Sequence, residues 1–466
     1  MPTLRVADVL EATAGQLVQG DAETSLTSFD IDTRSLRPGS AFFALPGDRT
    51  DGHRFLPQAR RAGAALAVVQ AEVPTGPEVP PAIVRVDDTA AALARCGACA
   101  REHLRDVRVL GLTGSTGKTT TKELAAAALA TGARVHRTTG NRNNHLGLPL
   151  TVLACPDDAE VAVCEMGMSA AGEIAALATI ARPDAGLITN VRPAHLESFE
   201  NLDAIAAAKG ELFATLADDA VAIVNDDDPH VRVQALRHVG PQLTFGTADD
   251  ADVRLEEFTG GFLPGARLTF RHDGRSRTVQ LRLGGAHAAW NALAAFAAVV
   301  ALGGDVDASI EAMGAVEPGP GRGCVHRLGG DVVLVDDSYN SSPAALASVL
   351  EALRDTPCSG RRMLVMGDML ELGPSSRAFH QAAGRAAAAA GVTWMLGVGP
   401  ETTAALEAAR AAGIADVQQR KDATAGAALL VERLEPGDVV VVKGSRGVGL
   451  DRLVRTVAGR RGAVGA

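Results

Sequence analysis

Apolar residues along this 466-residue chain fall largely in short continuous runs. In the middle of the chain the runs lie at residues 107–113, 133–136, 161–165, 185–190 and 221–225. Helical stretches separate them, notably 171–181 and 203–217. A short apolar run bounded by turn signals reads as a strand buried on both faces. Strands alternating with helices predict a parallel sheet with helices on either side. A hairpin-like stretch follows (253–255, 266–271, 278–283), and an Ala-rich helix over 287–302 closes the region. Glu317-Pro318-Gly319-Pro320-Gly321 marks a linker. Beyond it, runs at 332–336, 363–366, 393–397 and 439–442 predict a second doubly wound sheet. Ahead of residue 105, shorter runs at 41–45, 66–69 and 83–86 sit among Gly- and Pro-rich turns and predict a small α/β domain. The expected domains are 1–105, 106–315 and 316–466.

Length supports this division, because at roughly 100–200 residues per domain the chain is too long for one core. Hydrophobic residues make up 47% and aromatics only 3%, so the cores must be built from Ala, Leu and Val. The net charge is −10 with both signs interspersed, which argues against a general nucleic-acid binder. A phosphorylated ligand would require the basic residues to gather at one site. No run of about 18 apolar residues predicts a membrane span. The first ten residues lack a basic segment followed by an apolar one, so no secretory signal is expected and the cytoplasm is the natural compartment. Cys96 and Cys99 form a single CxxC without a second pair, which reads as reduced structural thiols rather than a metal or redox site.

The strongest chemical signal follows the strand at 107–113. Gly114-Ser115-Thr116-Gly117-Lys118-Thr119-Thr120 opens a helix, as a phosphate loop requires. Its glycines let backbone N–H groups face phosphates, and the helix N-terminus adds partial positive charge. Lys118 would reach the outer phosphates of ATP, and the Thr119 hydroxyl would ligate Mg²⁺. Leu112 stands where a small residue is usual, so the loop is a variant. Glu165 ends another strand of the same sheet, on the edge where parallel sheets place ligands, and is a candidate metal ligand. His195 follows a further strand on that edge. His287 and Asn291 lie one helical turn apart and share a face. Lys443, Ser445 and Arg446 follow a strand and precede a helix, a place suited to anions. Taken alone, Lys209 reads as a solvated helix residue.

The loop variant occurs together with Asp32-Thr33-Arg34, Phe42-Phe43-Ala44-Leu45-Pro46-Gly47, Asp51-Gly52-His53, Gly140-Asn141-Arg142-Asn143-Asn144, Asp337-Ser338-Tyr339-Asn340 and Lys443-Gly444-Ser445-Arg446-Gly447. In this order and spacing, across nearly the whole chain, they make it resemble the Mur ligases of peptidoglycan synthesis. The resemblance implies an α/β chain of three domains: an N-terminal UDP-sugar-binding domain, a central P-loop ATPase domain with a parallel sheet, and a C-terminal Rossmann-like domain that closes on ATP. It implies two Mg²⁺ ions, with His195 on the second, and a lysine carbamylated by CO₂ at Lys209. It places Asn291, Arg322 and one of Asp336 and Asp337, with Asp337 favoured, on ATP. Thr33 and Arg34 would meet the uridine diphosphate, and Asn143 and Asn144 the sugar and its phosphates. His380 would lie near the second substrate.

The implied reaction is ATP-dependent amide formation through an acyl phosphate. Asp337-Ser338-Tyr339-Asn340 points to the branch of the family that adds D-alanyl-D-alanine to a UDP-N-acetylmuramoyl tripeptide. The branch that adds the third amino acid is the alternative, but its Asp-Asn-Pro-Arg does not occur here. A nucleotide-switch ATPase is a more distant reading, since it leaves the third domain without a task. The expected partners are these two small substrates, with no nucleic acid and no membrane insertion, and the expected state is a monomer.

Overall fold

A computed structural model describes residues 4–47, 50–193 and 198–462. It contains three sheets. The first has five strands in the order Gln16–Gln19, Ala82–Arg85, Leu66–Val69, Ser40–Phe43 and Ser28–Asp30, with only the first pair antiparallel.

The second sheet has nine strands, and its parallel core runs Gln242–Gly246, Val221–Asn225, Ala185–Ile188, Arg108–Thr113, Val161–Glu165 and Val135–Arg137. Val253–Thr259 adds in parallel beside Gln242–Gly246, and Arg267–His272 and Arg275–Gln280 extend it as antiparallel hairpins. Every residue of Val161–Glu165 is buried, as a strand covered on both faces must be. Arg108–Thr113 is flanked by Val161–Glu165 on one side and Ala185–Ile188 on the other. The chain therefore reverses its direction of growth at this strand, and the crevice beyond its carboxyl end is the expected ligand site.

The third sheet has six strands, in the order Cys324–Leu328, Val332–Asp337, Val439–Lys443, Arg362–Gly367, Val392–Val398 and Asp416–Arg420. Here the last strand of the chain, Val439–Lys443, is inserted between Val332–Asp337 and Arg362–Gly367.

Small residues let the layers approach closely. The helix Ala286–Ala301 has a mean composition dominated by alanine and packs against Lys118–Leu129, behind the phosphate loop. Phe270 and Phe296 anchor that side with an edge-to-face contact at 4.6 Å. One apolar core runs continuously from the first sheet into the central region. At Gly97 of helix Thr89–His103, a Cβ would lie 3.0 Å from Pro149, so glycine keeps this helix approach unusually close. The third sheet is tied to the central one by Phe262, whose ring belongs to the third core and whose N–H donates to Thr356 Oγ1 at 2.8 Å. All six cysteines are free thiols, and burial pushes Cys96 up to about 12. No helix among the described residues is long and apolar enough to cross a membrane.

Asp438 ties the start of strand Val439–Lys443 to Arg361. It accepts from Arg361 Nη2 at 2.7 Å, from Arg361 N at 2.9 Å and from Glu435 N at 2.8 Å. Burial alone would raise its pKa, but these hydrogen bonds and the guanidinium charge outweigh it and hold the carboxyl below its usual range. A depressed folded pKa stabilises the fold above the unfolded value near 4 and loses that contribution as pH falls through the folded value. Asp438→Asn is expected to cost about 3 kcal/mol at neutral pH. It should also flatten the acid limb of a thermal melting series, which is the measurement that checks it.

Candidate active site

The carboxyl ends of the second and third sheets face a shared cavity of about 690 Å³, within the usual range for small-molecule sites. Its floor is the loop between strand Arg108–Thr113 and helix Lys118–Leu129, and Ser115 through Thr120 all line it. The loop is clamped to the segment after strand Ala185–Ile188. Thr189 Oγ1 donates to Thr116 O at 2.7 Å, and Asn190 Oδ1 accepts from Thr116 N at 3.1 Å. Ser115 Oγ meets both Arg192 O and Arg192 N at 2.9 Å. Gly114 and Gly117 have φ of +151° and +83°. A Cβ on Gly117 would lie 2.2 Å from Asn291 Oδ1, and one on Gly114 would lie 1.9 Å from Thr189 Oγ1.

Lys118 Nζ donates to Gly114 O at 2.6 Å, so the side chain folds back over its own loop. Burial holds its pKa below the usual lysine range and Arg322 adds to that, while the Glu165 carboxylate pulls the other way. Glu165 lines the cavity yet is only 2% exposed. Asn143 Nδ2 donates to its Oε1 at 2.8 Å. Its Oε2 is buried and has no hydrogen-bond partner among the described residues. An orphaned carboxylate oxygen beside a phosphate loop fits a Mg²⁺ ligand. No group of three or more His, Cys, Asp or Glu gathers among the described residues as an all-protein metal site. That also suits Mg²⁺, which usually takes one or two carboxylates and completes its shell with phosphates and water.

The opposite wall comes from the third sheet. Asp337 and Lys443 lie side by side in register, and Lys443 Nζ donates to Asp337 Oδ2 at 2.5 Å and to Asn340 O at 2.9 Å. Neighbouring strand residues point to opposite faces. Asp337 accordingly lines the cavity, while Asp336 Oδ1 accepts from Ser338 Oγ and caps its own turn. The Arg322 guanidinium stacks on the Tyr339 ring at 3.9 Å, and that of Arg446 lies 5.3 Å from the same ring. Ser445 Oγ accepts from Leu370 N at 2.9 Å, pinning a second loop at the rim. His287, across from this wall, meets Ser348 Oγ at 3.2 Å.

Comparison with known proteins settles the family. Models of the Mur ligase family catalytic domain, the Mur ligase middle domain and the Mur ligase glutamate ligase domain match residues 26–99, 112–299 and 321–446. The UDP-N-acetylmuramoyl-tripeptide–D-alanyl-D-alanine ligase of Bacillus subtilis is 34% identical over 97% of each chain.

This chain belongs to the Mur ligase family.

Among solved structures, MurF from Acinetobacter baumannii superposes with a TM-score of 0.89 at 29% identity, covering 98% of this chain and 99% of that one. MurF from Thermotoga maritima in complex with ADP gives 0.79 at 31% identity, covering 92% and 96%. This Mur ligase thus has the three-domain fold expected from its sequence.

The remaining sequence-derived candidates sit differently. Lys209, on helix Leu202–Thr215, is not the solvated residue its helix context alone suggests, since it is 2% exposed. Burial holds its amine well below the ordinary lysine pKa, and nearby Lys118 pushes the same way. Asn143 braces Glu165, whereas Asn144 is exposed and its Oδ1 accepts from Gly147 N at 2.9 Å, at the start of helix Gly147–Leu153. Arg34 is exposed and paired with Asp32, whose carboxyl this hydrogen bonding lowers to about 2. Neither Arg34 nor the half-buried Thr33 borders the cavity. His380 is buried, and its Nε2 accepts from Met369 N at 3.1 Å, so it braces the rim loop from behind. His195 lies outside the described residues.

The structure also brings in residues that the sequence pattern did not single out: Thr189, Asn190, Asn225, Asp227 and Trp290. Trp290 Nε1 donates to Asp227 Oδ2 at 3.0 Å. The first four directly follow or end apolar strands, and that position on the ligand edge was the available signal. Gly117→Ala should push Asn291 off the loop, raise the KM for ATP roughly tenfold and lower the melting temperature, because a φ of +83° strains any residue with a Cβ. Steady-state kinetics with ATP varied checks this.

Proposed function

We propose that this Mur ligase joins D-alanyl-D-alanine to a UDP-N-acetylmuramoyl tripeptide at the expense of ATP, releasing ADP and phosphate. One observation carries the reading: a phosphate loop with its lysine faces, across one cavity, a basic and acidic wall supplied by a different domain. Such an arrangement serves a reaction that must bring a nucleotide together with a further reactant. Asp337-Ser338-Tyr339-Asn340 on that wall, and the activity for which the full-length relatives are named, support the dipeptide as the second substrate.

In this reading Ser115, Thr116, Gly117 and Thr120 cradle the phosphates, and Gly114 lets the chain turn. Lys118 leaves its carbonyl partners to meet the transferring phosphoryl group. Asn291, Arg322 and Asp337 hold the nucleotide. Thr119 and Glu165 would hold Mg²⁺, and His195 and Lys209 a second ion. Bound Mg²⁺ would neutralise charge on the phosphates. The phosphoryl group passes to the terminal carboxylate of the tripeptide, and the free amine of the dipeptide then attacks the acyl phosphate and expels phosphate. Lys443, Ser445 and Arg446 orient the carboxylate-bearing substrates, Asn143 steadies the Glu165 end, and the remaining UDP-sugar contacts are assigned to Thr33, Arg34 and Asn144. Closure of residues 316–466 on residues 106–315 would exclude water, with residues 1–105 holding the UDP end. A monomer in the cytoplasm suffices for this chemistry.

Lys209 is proposed to carry a carbamate. A neutral amine attacks CO₂, forming an N–C bond and releasing one proton, and its buried, lowered pKa favours the neutral form that this needs. Phosphate release tests the reading as a whole. It should require nucleotide tripeptide and D-alanyl-D-alanine together, and steady release with neither present would favour an ATPase switch instead.

A further inference from the structure

Lys118 and Lys122 lie four residues apart on one helix, so they share a face one turn apart. Lys118 reaches the cavity, whereas Lys122 is 0% exposed beneath it. A buried lysine is expensive unless its charge is met, and the surroundings of Lys122 meet it in a particular way. Its Nζ donates to Thr138 O at 2.8 Å, lies 3.0 Å from Glu123 Oε1, and lies 3.7 Å from Glu165 Oε2. Thr138 is also bound to Glu165, because its Oγ1 accepts from Glu165 N at 3.0 Å. Glu123 is in turn held by Arg137, whose Nε donates to its Oε2 at 2.8 Å.

We infer that Lys122 is a positioning residue for the metal-binding carboxylate, a role that rests on the reading of Glu165 as a Mg²⁺ ligand. At 3.7 Å it supplies opposite charge to Oε2 without taking up that atom in a hydrogen bond. Asn143 holds the other oxygen, so Glu165 stays fixed with one oxygen unspent. With Lys122 in place, Lys118 bonds to Gly114 O rather than to Glu165 and stays free to meet phosphate. Without Lys122, Oε2 loses the neighbouring positive charge and Glu165 is no longer held in place as a metal ligand, while Lys118 keeps its carbonyl contacts in the loop.

Calorimetric titration of ADP into the full chain, with and without Mg²⁺, tests this. Lys122→Met should bind ADP like the wild type without Mg²⁺, yet lose roughly 10–100-fold of the affinity gained when Mg²⁺ is added. Glu123→Gln, which removes the other neighbour of Lys122, should keep the full gain. A purely structural Lys122 would lower the melting temperature of Lys122→Met and leave its Mg²⁺ gain at the wild-type value, and that result overturns the proposal. The double variant Lys122→Met with Glu123→Gln removes one of the two acids that Lys122 faces and serves the same test if the single variant does not fold. Glu165→Gln separates the two ideas. If it keeps the Mg²⁺ gain, the metal reading of Glu165 fails. If it loses the gain while Lys122→Met keeps it, the Lys122 proposal fails alone.

Discussion

Lys118→Met is expected to lower turnover by roughly 10²–10³-fold, the usual cost of removing one charge-stabilising donor from a phosphoryl- or acyl-transfer site. The wild-type amine sits at the cavity floor with two carbonyl contacts and no bound carboxylate, so its loss strands no buried acid. Melting temperature should therefore move little. The loop geometry is carried by Gly114, Gly117 and the Thr189 and Asn190 clamp, so ADP should still bind, though more weakly. Rapid-quench measurement of phosphate release, set beside a thermal melt, separates a chemical defect from a folding one. Turnover within threefold of wild type would remove Lys118 from the phosphoryl-transfer step.

The second large effect is expected at Lys209. Its amine is buried and its pKa well below the ordinary lysine value, with burial the main cause and Lys118 secondary. Among the described residues no carboxylate pairs with it. With no carboxylate partner among the described residues it contributes no ion pair to stability, so Lys209→Ala should fold while losing most of its turnover. If the missing group is a carbamate, added short carboxylic acids should restore part of the activity, and carbon-13-labelled bicarbonate should give a carbamate resonance in the wild type only. Full activity of Lys209→Ala, or no such resonance in an active wild-type enzyme, would take the carbamate out of the mechanism.

The legible parts of this molecule were those whose signal is local. Strand, glycine loop, lysine and helix are contiguous from residue 107 onward, so the floor of the cavity could be read directly. Glu165 was legible because a fully apolar strand ends on it. Lys209 was not, because Ala206, Ala207, Ala208 and Gly210 around it give no contrast between a buried and a solvated face. Those same small residues let the helix pack closely enough to cover a lysine. Which of Asp336 and Asp337 faces the cavity depended on sheet register, which sequence does not carry and the pairing with Lys443 supplies. Asn144 came from the family resemblance, and its hydrogen bond to the helix start at Gly147 is a local role that the sequence did not show. The strands Gln16–Gln19, Ser28–Asp30, Gln242–Gly246, Cys324–Leu328 and Asp416–Arg420 escaped the apolar pattern for a related reason. They are short or mixed in polarity, and four of the five lie at sheet edges, where one side meets solvent.

The central claim is that ATP phosphorylates a peptide carboxylate in this cavity. Labelling both oxygens of the tripeptide's terminal carboxylate with heavy oxygen, and analysing the products by mass spectrometry after one turnover with ATP and D-alanyl-D-alanine, tests it most directly. One heavy oxygen should appear in the released phosphate and the other in the new amide carbonyl. Amide formed together with unlabelled phosphate would contradict the account, because it would mean that water, not the peptide carboxylate, had received the phosphoryl group.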